Sequence, residues 1–424
     1  MRHAAVRHLS VIGATGLLPI AAQADLLNDS QAVLEMKNYY FNRDYEQGAG
    51  QSRREEWAQG FLLNLQSGYT EGTVGVGLDA VGMLGLKLDS SPARSGTGLL
   101  SQASSAEPGR PGYAKRADDN YSKLGVTAKA RLAESELRIG HLLPHLPLLD
   151  PNSSRLFPQT FRGAQLTSRD IESLEVRLGQ IDRVKQRDST RYEKLGLSGQ
   201  NGSYKSSARS DTFRFGGADY QIRPDLQGSY HYAQLQDIYQ KHYFGLKHAL
   251  KLGSGTLKSE VRYFDSTKDG AGLAGRVDNQ ALSSRLAYNW QGHTVSGGYQ
   301  KQFGDTAFTY VNGSYTYLFS EYQLSNFSQA GERVWHARYD YDFAKVGMPG
   351  LLFSTRYAKG DQARVTGFAG EGREWERDID LGYTIQSGPL KDVSLRWRNA
   401  QVKSNYQRDS TEDRLLLSYT VKLW

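Results

Sequence analysis

Most of the chain after residue 30 alternates apolar and polar side chains one by one, which is the spacing of a β-strand with two different faces. One face of the C-terminal segment carries Leu415, Leu417 and Tyr419, whereas the other carries Arg414 and Lys422. A strand with one apolar and one basic, hydrated face is typical of a barrel that meets lipid outside and water inside.

Segments of this kind follow one another without a helical interlude, which predicts a single antiparallel sheet and not an α/β fold. They lie at 33–43, 56–67, 73–88, 122–133, 135–141, 172–184, 210–222, 226–236, 241–252, 256–266, 279–290, 293–303, 333–343, 350–359, 374–386, 391–403 and 412–424. Less certain strands lie at 190–199 and 307–319. Because bacterial single-chain barrels have an even number of strands, the predicted fold is an all-β transmembrane antiparallel barrel of eighteen strands.

Two segments are unusual for surface loops. Residues 141–171 combine four prolines with leucines and Phe157, too apolar for a solvent-facing tip and too rich in proline for a strand. We therefore expect this segment to fold inward as a constriction loop. Residues 304–330, rich in Tyr and Phe, are a second candidate. The alternative is that these loops pack only on each other outside the barrel.

Composition supports a barrel over a helical bundle. The mean hydropathy is −0.59, and no window after the N-terminus approaches the roughly 20 apolar residues that a spanning helix needs. The net charge of +7 raises nucleic-acid binding as an alternative, but the basic residues are spread along the strands and do not form a patch, so we predict no nucleic-acid partner.

Residues 1–24 have the features of a secretory signal peptide. Arg2 and Arg7 precede an apolar stretch, and Ala22-Gln23-Ala24 resembles a cleavage site, so the barrel domain would be residues 25–424. A short buried N-terminal helix is the alternative. Together with the barrel pattern, this predicts export to the outer membrane of a Gram-negative bacterium, in contact with its lipids and lipopolysaccharide. The chain has no cysteine, which excludes disulfides and thiolate metal sites.

The same alternation sorts the charged side chains. Basic residues predicted to face the lumen and to bind substrate are Lys37, Arg131, Arg138, Arg177, Arg396, Arg398 and Arg414, and the reading also places Arg214 inside. An acidic run on one strand, predicted to oppose them, comprises Glu376, Asp378 and Asp380.

Clustered lumen arginines predict attraction of small carboxylates. A confined basic surface concentrates anions, and guanidinium groups bind carboxylates bidentately. The alternative is that the arginines only pair with lumen acids and brace the barrel. The acidic run, in turn, either receives an ammonium group or braces the arginines, and the sequence leaves both open.

Catalytic signatures are absent: the chain has no H-E-x-x-H, no G-x-S-x-G and no phosphate-binding loop. We therefore predict a passive channel that is not an enzyme and has no cofactor or metal. An outer-membrane barrel enzyme of the lipase or protease type and a plugged structural barrel are the alternatives.

Several segments closely resemble the OprD family of outer-membrane carboxylate channels. They are NYYFNRDY at 38–45, RREEWAQGF at 53–61, GMLGLKLD at 82–89, RLFPQTFRG at 155–163, ARYD at 337–340 and GPLKDVSLRWR at 388–398. The matches run from the first predicted strand to the penultimate one.

This resemblance implies a monomeric channel of eighteen strands with an inward third loop and a "basic ladder" of arginines for small carboxylate nutrients. The ladder positions carry over to Arg138, Arg396, Arg398 and Arg414, and more loosely to Lys37, where lysine replaces a family arginine. Lysine lacks the bidentate fork of arginine. Family members divide between basic amino acids and aromatic or other small monocarboxylates, and the rather short chain is more similar to the second group.

Overall fold

The computed structural model describes residues 29–102, 116–198 and 202–424, which contain one closed antiparallel sheet of eighteen strands. Its strands are β1 Gln31–Tyr45, β2 Arg53–Gln66, β3 Val74–Asp89, β4 Asn120–Leu132, β5 Ser135–Leu142, β6 Thr160–Ile171, β7 Leu174–Lys185, β10 Phe213–Arg223, β11 Leu226–Leu235, β12 Tyr239–Leu252, β13 Gly255–Lys268, β14 Asp278–Trp290, β15 His293–Gly304, β16 Arg333–Asp342, β17 Leu351–Ala363, β18 Gly372–Thr384, β19 Ser394–Ser404 and β20 Ser410–Lys422. β1 pairs with β20 and closes the ring. Two short strands, β8 Leu195–Gly196 and β9 Arg209–Ser210, form a separate ladder.

The predicted alternation is confirmed along the barrel. Leu395 and Trp397 are exposed on the outer surface, whereas Arg396 and Arg398, between and beyond them on β19, pair with Asp380 on the opposite face of the sheet. Apolar side chains that remain exposed on one face of the strands supply the surface that a hydrocarbon layer covers. Among the described residues, no helix is long and apolar enough to cross a membrane.

The strand β6 was missed in the sequence prediction, which placed it inside the proline-rich segment 141–171. Its outward face carries the polar residues Arg162 and Ser168 beside Leu166, so apolar and polar residues do not alternate clearly along this strand. The two less certain strands were wrong as barrel strands, because residues 190–198 and 307–319 lie outside the eighteen strands of the barrel. The prediction of eighteen strands is confirmed, but β6 is the eighteenth.

Inward loops occupy the lumen. We call residues 143–159 the proline-rich loop, 186–198 together with 202–212 the middle loop, and 305–332 the aromatic loop. Leu156 and Phe157 of the proline-rich loop are buried against Tyr39 and Phe41 of β1. Gly60 of β2 permits this close approach, because a Cβ at that position would lie 2.8 Å from Leu156. The prediction of an inward constriction loop is confirmed for residues 143–159.

The aromatic loop also packs against the inner surface of the barrel. Phe308 stacks edge-to-face on Phe264 of β13, with ring centroids 5.1 Å apart. At the other end of the loop, the Tyr322 hydroxyl donates to the Tyr357 carbonyl of β17 at 3.2 Å, and Phe327 is buried beside Ala358. The second candidate segment therefore enters the lumen as well.

The three loops are bonded to each other. The Asp150–Tyr315 bridge joins the proline-rich loop to the aromatic loop, and a Leu197–Val311 bridge joins the middle loop to the same loop. Gln159 is fully buried where all three meet: its amide donates to the Asn312 carbonyl at 2.8 Å and to Gln186 at 3.1 Å. The constriction is thus one connected structure of three loops.

The predicted signal peptide, residues 1–24, lies outside the described residues and stays a prediction. The barrel that the structure describes begins with β1 at Gln31.

Replacing Gln159 by Ala should loosen the junction of the three loops without unfolding the barrel. The substitution removes the acceptor of the buried Ser314 hydroxyl and one of the two side-chain donors to the Asn312 carbonyl, the other being Gln186, at a local cost of about 1–3 kcal/mol. We expect larger open-state current fluctuations in single-channel recordings and unchanged heat-modifiable migration on gels. Gln165→Ala is the matched control, because Gln165 faces the lumen but bonds only to Thr167 of its own strand. Equal noise in both variants would contradict the three-loop junction.

Candidate functional site: the lumen constriction

The constriction encloses a cavity of about 490 Å³ between the inward loops and the last strands. Its charged lining is dominated by seven arginines, against two acids, Asp150 and Glu321. The arginines are Arg43, Arg155, Arg187, Arg262, Arg356, Arg398 and Arg414. A narrow, low-dielectric passage with this composition focuses positive potential on anything that enters it.

Arg398 and Arg414 lie directly opposite each other on the neighbouring strands β19 and β20. Arg396 lies two residues before Arg398 on β19, and the alternation therefore puts it on the same face. Arg396 and Arg398 both pair with Asp380. Arg396 binds it bidentately, with Nε 2.7 Å from Oδ1, and Nε of Arg398 lies 3.0 Å from Oδ2. Arg398 lines the cavity, whereas Arg396 lies just outside it.

Arg414 is the most enclosed of these arginines, with 1% of its side chain exposed. Its Nε donates to Glu412 at 2.5 Å, and Arg43 pairs with the same carboxylate from β1. The guanidinium also donates to the Ser154 and Gln323 carbonyls, both at 3.4 Å. Arg414 thus holds the proline-rich and aromatic loops against the barrel while it lines the cavity.

The acidic run on β18 is engaged in contacts that hold the barrel together. Asp378 pairs with Arg356 at 2.6 Å, and Asp380 binds the two arginines of β19. Glu376 is fully buried and accepts hydrogen bonds from the backbone N–H groups of Leu324 and Ser325. Of the two possibilities that the sequence left open, the observed contacts correspond to bracing.

The other predicted substrate-binding residues lie apart from this cavity. Lys37 pairs with Glu35 at 3.0 Å on β1, and Arg131 lies over the Tyr69 ring at 4.5 Å. Lys37 is displaced along β1 from the level of Arg414, since Arg414 pairs in register with Phe41.

Arg138 and Arg177 line a second cavity of about 430 Å³, on the side of the proline-rich loop where the short turns lie. Arg138 binds Asp79 and Glu136, and Arg177 binds Glu175 and Asp219. In this second cavity both predicted arginines are thus matched by carboxylates.

Arg214 was predicted to face the lumen, and this was wrong. Its neighbours Phe213 and Phe215 point inward and are buried, so Arg214 lies on the outer face, where it bonds to Gln180. The two phenylalanines pack against the inward loops, which reverses the usual apolar-outside pattern of this strand.

Two arginines that the strand pattern did not single out lie at the constriction without a carboxylate partner among the described residues. Arg155 donates through Nε to the Thr97 carbonyl at 2.8 Å and lies 4.7 Å from the Phe41 ring. Arg187 donates to Asn152 at 3.0 Å and to Ser154 at 2.6 Å. Burial lowers the pKa of both guanidinium groups. The alternation rule applies only to strands, so it assigned no side-chain direction to either loop residue. Of the two, only Arg155 appeared in the sequence analysis, as part of the segment 155–163 that carries the family resemblance.

Glu321 of the aromatic loop brings a negative charge to the same cavity. Its Oε2 accepts hydrogen bonds from the Thr316 N–H at 2.6 Å and from the Thr316 hydroxyl at 2.8 Å. The pKa of Glu321 is raised to about 7, chiefly by burial and to a smaller extent by Asp150, against the opposing effects of the Thr316 hydrogen bonds and of Arg356. The charge of the constriction therefore changes near neutral pH.

Comparison with known proteins gives consistent matches over nearly the whole chain. Residues 24–423 match the model of a family described as outer membrane porin, OprD family. The porin-like protein GalP of Pseudomonas putida is 35% identical over 412 residues, 96% of this chain and 95% of GalP. The crystal structure of Pseudomonas aeruginosa OccK9 (OpdG) matches with a TM-score of 0.89 and 44% identity, covering 94% of this chain and 100% of that one. Pseudomonas aeruginosa OpdK with vanillate matches with a TM-score of 0.87 and 38% identity over the same shares.

Anion selectivity should increase as the pH falls through about 7, because protonation of Glu321 removes a negative charge from an arginine-lined cavity. Reversal potentials in a salt gradient, measured from about pH 8 to about pH 6, test this. Glu321→Gln should be more anion-selective than the wild type at the upper end of this range and should lose the part of the pH dependence that Glu321 supplies.

His145 also gains a proton more readily than usual, because its hydrogen bond to Asp150 raises its pKa. That contribution is retained in the Glu321→Gln variant, so the difference between the two proteins isolates Glu321. An identical pH dependence in both proteins would rule out its role.

Proposed function

Since the chain belongs to the OprD family of outer-membrane porins, we propose that it is a passive, monomeric channel for small carboxylate nutrients, with aromatic or other monocarboxylates favoured over basic amino acids. Membership of this family excludes the barrel-enzyme alternative. One chain closes the ring through β1 and β20, so a single copy suffices to form a pore.

One observation carries the proposal: Arg155 and Arg187 bring guanidinium groups to the constriction without carboxylate partners among the described residues. Arg398 lines the same cavity, although Asp380 already lies 3.0 Å from its Nε. A carboxylate that enters supplies the missing acceptors and the missing negative charge. Guanidinium groups already paired with protein acids have less to gain from the same ligand.

Apolar contacts support the preference for aromatic acids. Tyr315, Tyr317 and Tyr322 line the cavity beside the arginines. Their rings offer surfaces for a flat apolar body while the arginines bind its charged end. Vanillate, present in the OpdK structure, is an aromatic monocarboxylate.

The small number of lining acids favours this ligand class over basic amino acids. Asp150 is 3.0 Å from His145, and Glu321 binds Thr316. Against seven arginines, these two acids leave the cavity positive, so a second cationic group on the ligand is repelled.

Replacing Arg398 or Arg187 by Gln should weaken carboxylate binding in the pore by about tenfold, the usual size of one charge-assisted hydrogen bond. Block of single-channel current by benzoate gives the dissociation constant, and liposome swelling gives the uptake rate. Arg214→Gln is the matched control, because it removes the same charge from the outer face. Unchanged block in both cavity variants would contradict the carboxylate site.

A pair of ligands that differ only in charge tests the substrate class without altering the protein. We expect benzoate to interrupt the current and to enter liposomes faster than benzamide, because only benzoate pairs with the arginines of the constriction. We expect the free amino acid lysine to bind in the pore more weakly than benzoate does. Equal rates for benzoate and benzamide would mean that the pore is an unselective sieve.

A further inference from the structure

A groove lies on the outer, lipid-facing surface of the barrel, where β13 to β16 meet. It has a volume of about 620 Å³, and its outward side chains include Val261, Leu286, Tyr299 and Trp335. Gly297 forms part of its floor, and the side-chain space that this glycine leaves empty helps to form the groove. The wall is rigid on one side, because the Tyr299 and Trp335 rings lie 4.7 Å apart.

Basic side chains lie beside this groove, towards the end of the barrel that carries the long loops. Lys301 follows Tyr299 by two residues on β15, so it also points outward and lies about 7 Å further along the strand. Lys359 pairs in register with Trp335, and Arg377 pairs with Tyr357 on the next strand. The three cations span β15 to β18, a width of about 15 Å.

These three cations have no ion pair with a carboxylate in the part of the chain that the structure describes. The Lys301 ammonium donates to the Gly331 carbonyl and to Gln362, both at 2.8 Å, and Arg377 donates to Asn399 at 2.7 Å. Lys359 is exposed. By contrast, Arg333 in their midst is neutralised bidentately by Asp361. The patch therefore carries an uncompensated positive charge at the upper edge of an apolar surface.

We propose that this sector is a binding site for lipopolysaccharide of the outer leaflet, with an acyl chain in the groove and phosphates on Lys301, Lys359 and Arg377. The long loops mark the outward-facing end of such barrels, which puts the cations at the outer headgroup level and the groove in the hydrocarbon layer. Phosphate groups match this cationic patch, and apolar chains match the groove below it. The site is separate from the pore.

Native mass spectrometry of the detergent-solubilised barrel, titrated with hexa-acylated bisphosphorylated lipid A, tests the site. The triple variant Lys301→Ala, Lys359→Ala, Arg377→Ala should bind on the order of a hundredfold more weakly, since each cation near a lipid surface contributes a factor of about five. Arg162→Ala is the charge control, because Arg162 lies on the outer face of β6 but is already paired with Asp182. We expect the Arg162→Ala variant to bind lipid A with the affinity of the wild type.

The groove has its own test. At Gly297 an added Cβ would meet only the His336 carbonyl at 3.4 Å, an ordinary contact, so Gly297→Leu fills the groove without straining the sheet. It should weaken lipid A binding several-fold. Gly82→Leu adds the same bulk to the lipid face of β3, where no atom lies within 4 Å of the added Cβ, and should have no effect.

Wild-type affinity in the triple variant, or equally tight binding of phosphatidylglycerol to the wild type, would overturn the assignment. If the triple variant does not fold, the single variant Lys359→Ala answers the question, because its side chain is exposed and makes no hydrogen bond or ion pair in the described structure. It should bind lipid A measurably more weakly while single-channel conductance stays at the wild-type value.

Discussion

An unpaired backbone N–H or C=O in hydrocarbon costs several kcal/mol, so closure of the sheet decides whether this chain can span a membrane. The pairing of β1 with β20, from Val33 opposite Lys422 to Tyr45 opposite Ser410, supplies that closure. The register of each pair also fixes which side chains face outward, because a shift by one residue would turn every side chain of the shifted strand to the opposite side. The apolar outer surface and the charged lumen both follow from this one constraint.

Closure leaves a wide lumen, and the three inward loops fill it by polar contacts as much as by apolar ones. Glu376 accepts two backbone N–H groups of the aromatic loop, and Lys123 donates to the Pro158 and Gln186 carbonyls at 2.9 and 2.8 Å. A buried charge that lost these partners would be left without solvent or protein to stabilise it. The loops are therefore held in place by the need of the strand residues for partners, as well as by their own packing.

The charges of the lumen divide into two groups. Arg138 and Arg177 are matched by carboxylates in the second cavity, whereas Arg155 and Arg187 meet only neutral acceptors at the constriction. An anion would therefore meet guanidinium groups without carboxylate partners at the constriction, and arginines that already pair with protein acids in the second cavity. The difference favours passage over trapping, because attraction is confined to a short stretch of the pore.

Much of the barrel was predictable because adjacent residues of a strand face lipid and water in turn. Apolar and polar residues therefore alternate in the sequence itself. This alternation predicted seventeen of the eighteen strands and the faces of Arg396 and Arg398, whereas the inward course of the proline-rich loop was predicted from its apolar, proline-rich composition. The alternation failed at β6 and at Arg214, where packing against inward loops, or a polar outer face, replaces the contrast between lipid and water.

Only the tertiary structure decided which arginines have partners. Arg414, predicted from the strand pattern, is enclosed by Glu412 and two loop carbonyls, whereas Arg187, which no pattern singled out, lines the cavity without a carboxylate partner among the described residues. Side-chain direction follows from local geometry and can be read along a strand. Ion pairing depends on distances between segments far apart in the chain, and those are fixed only when the sheet closes and the loops fold into it.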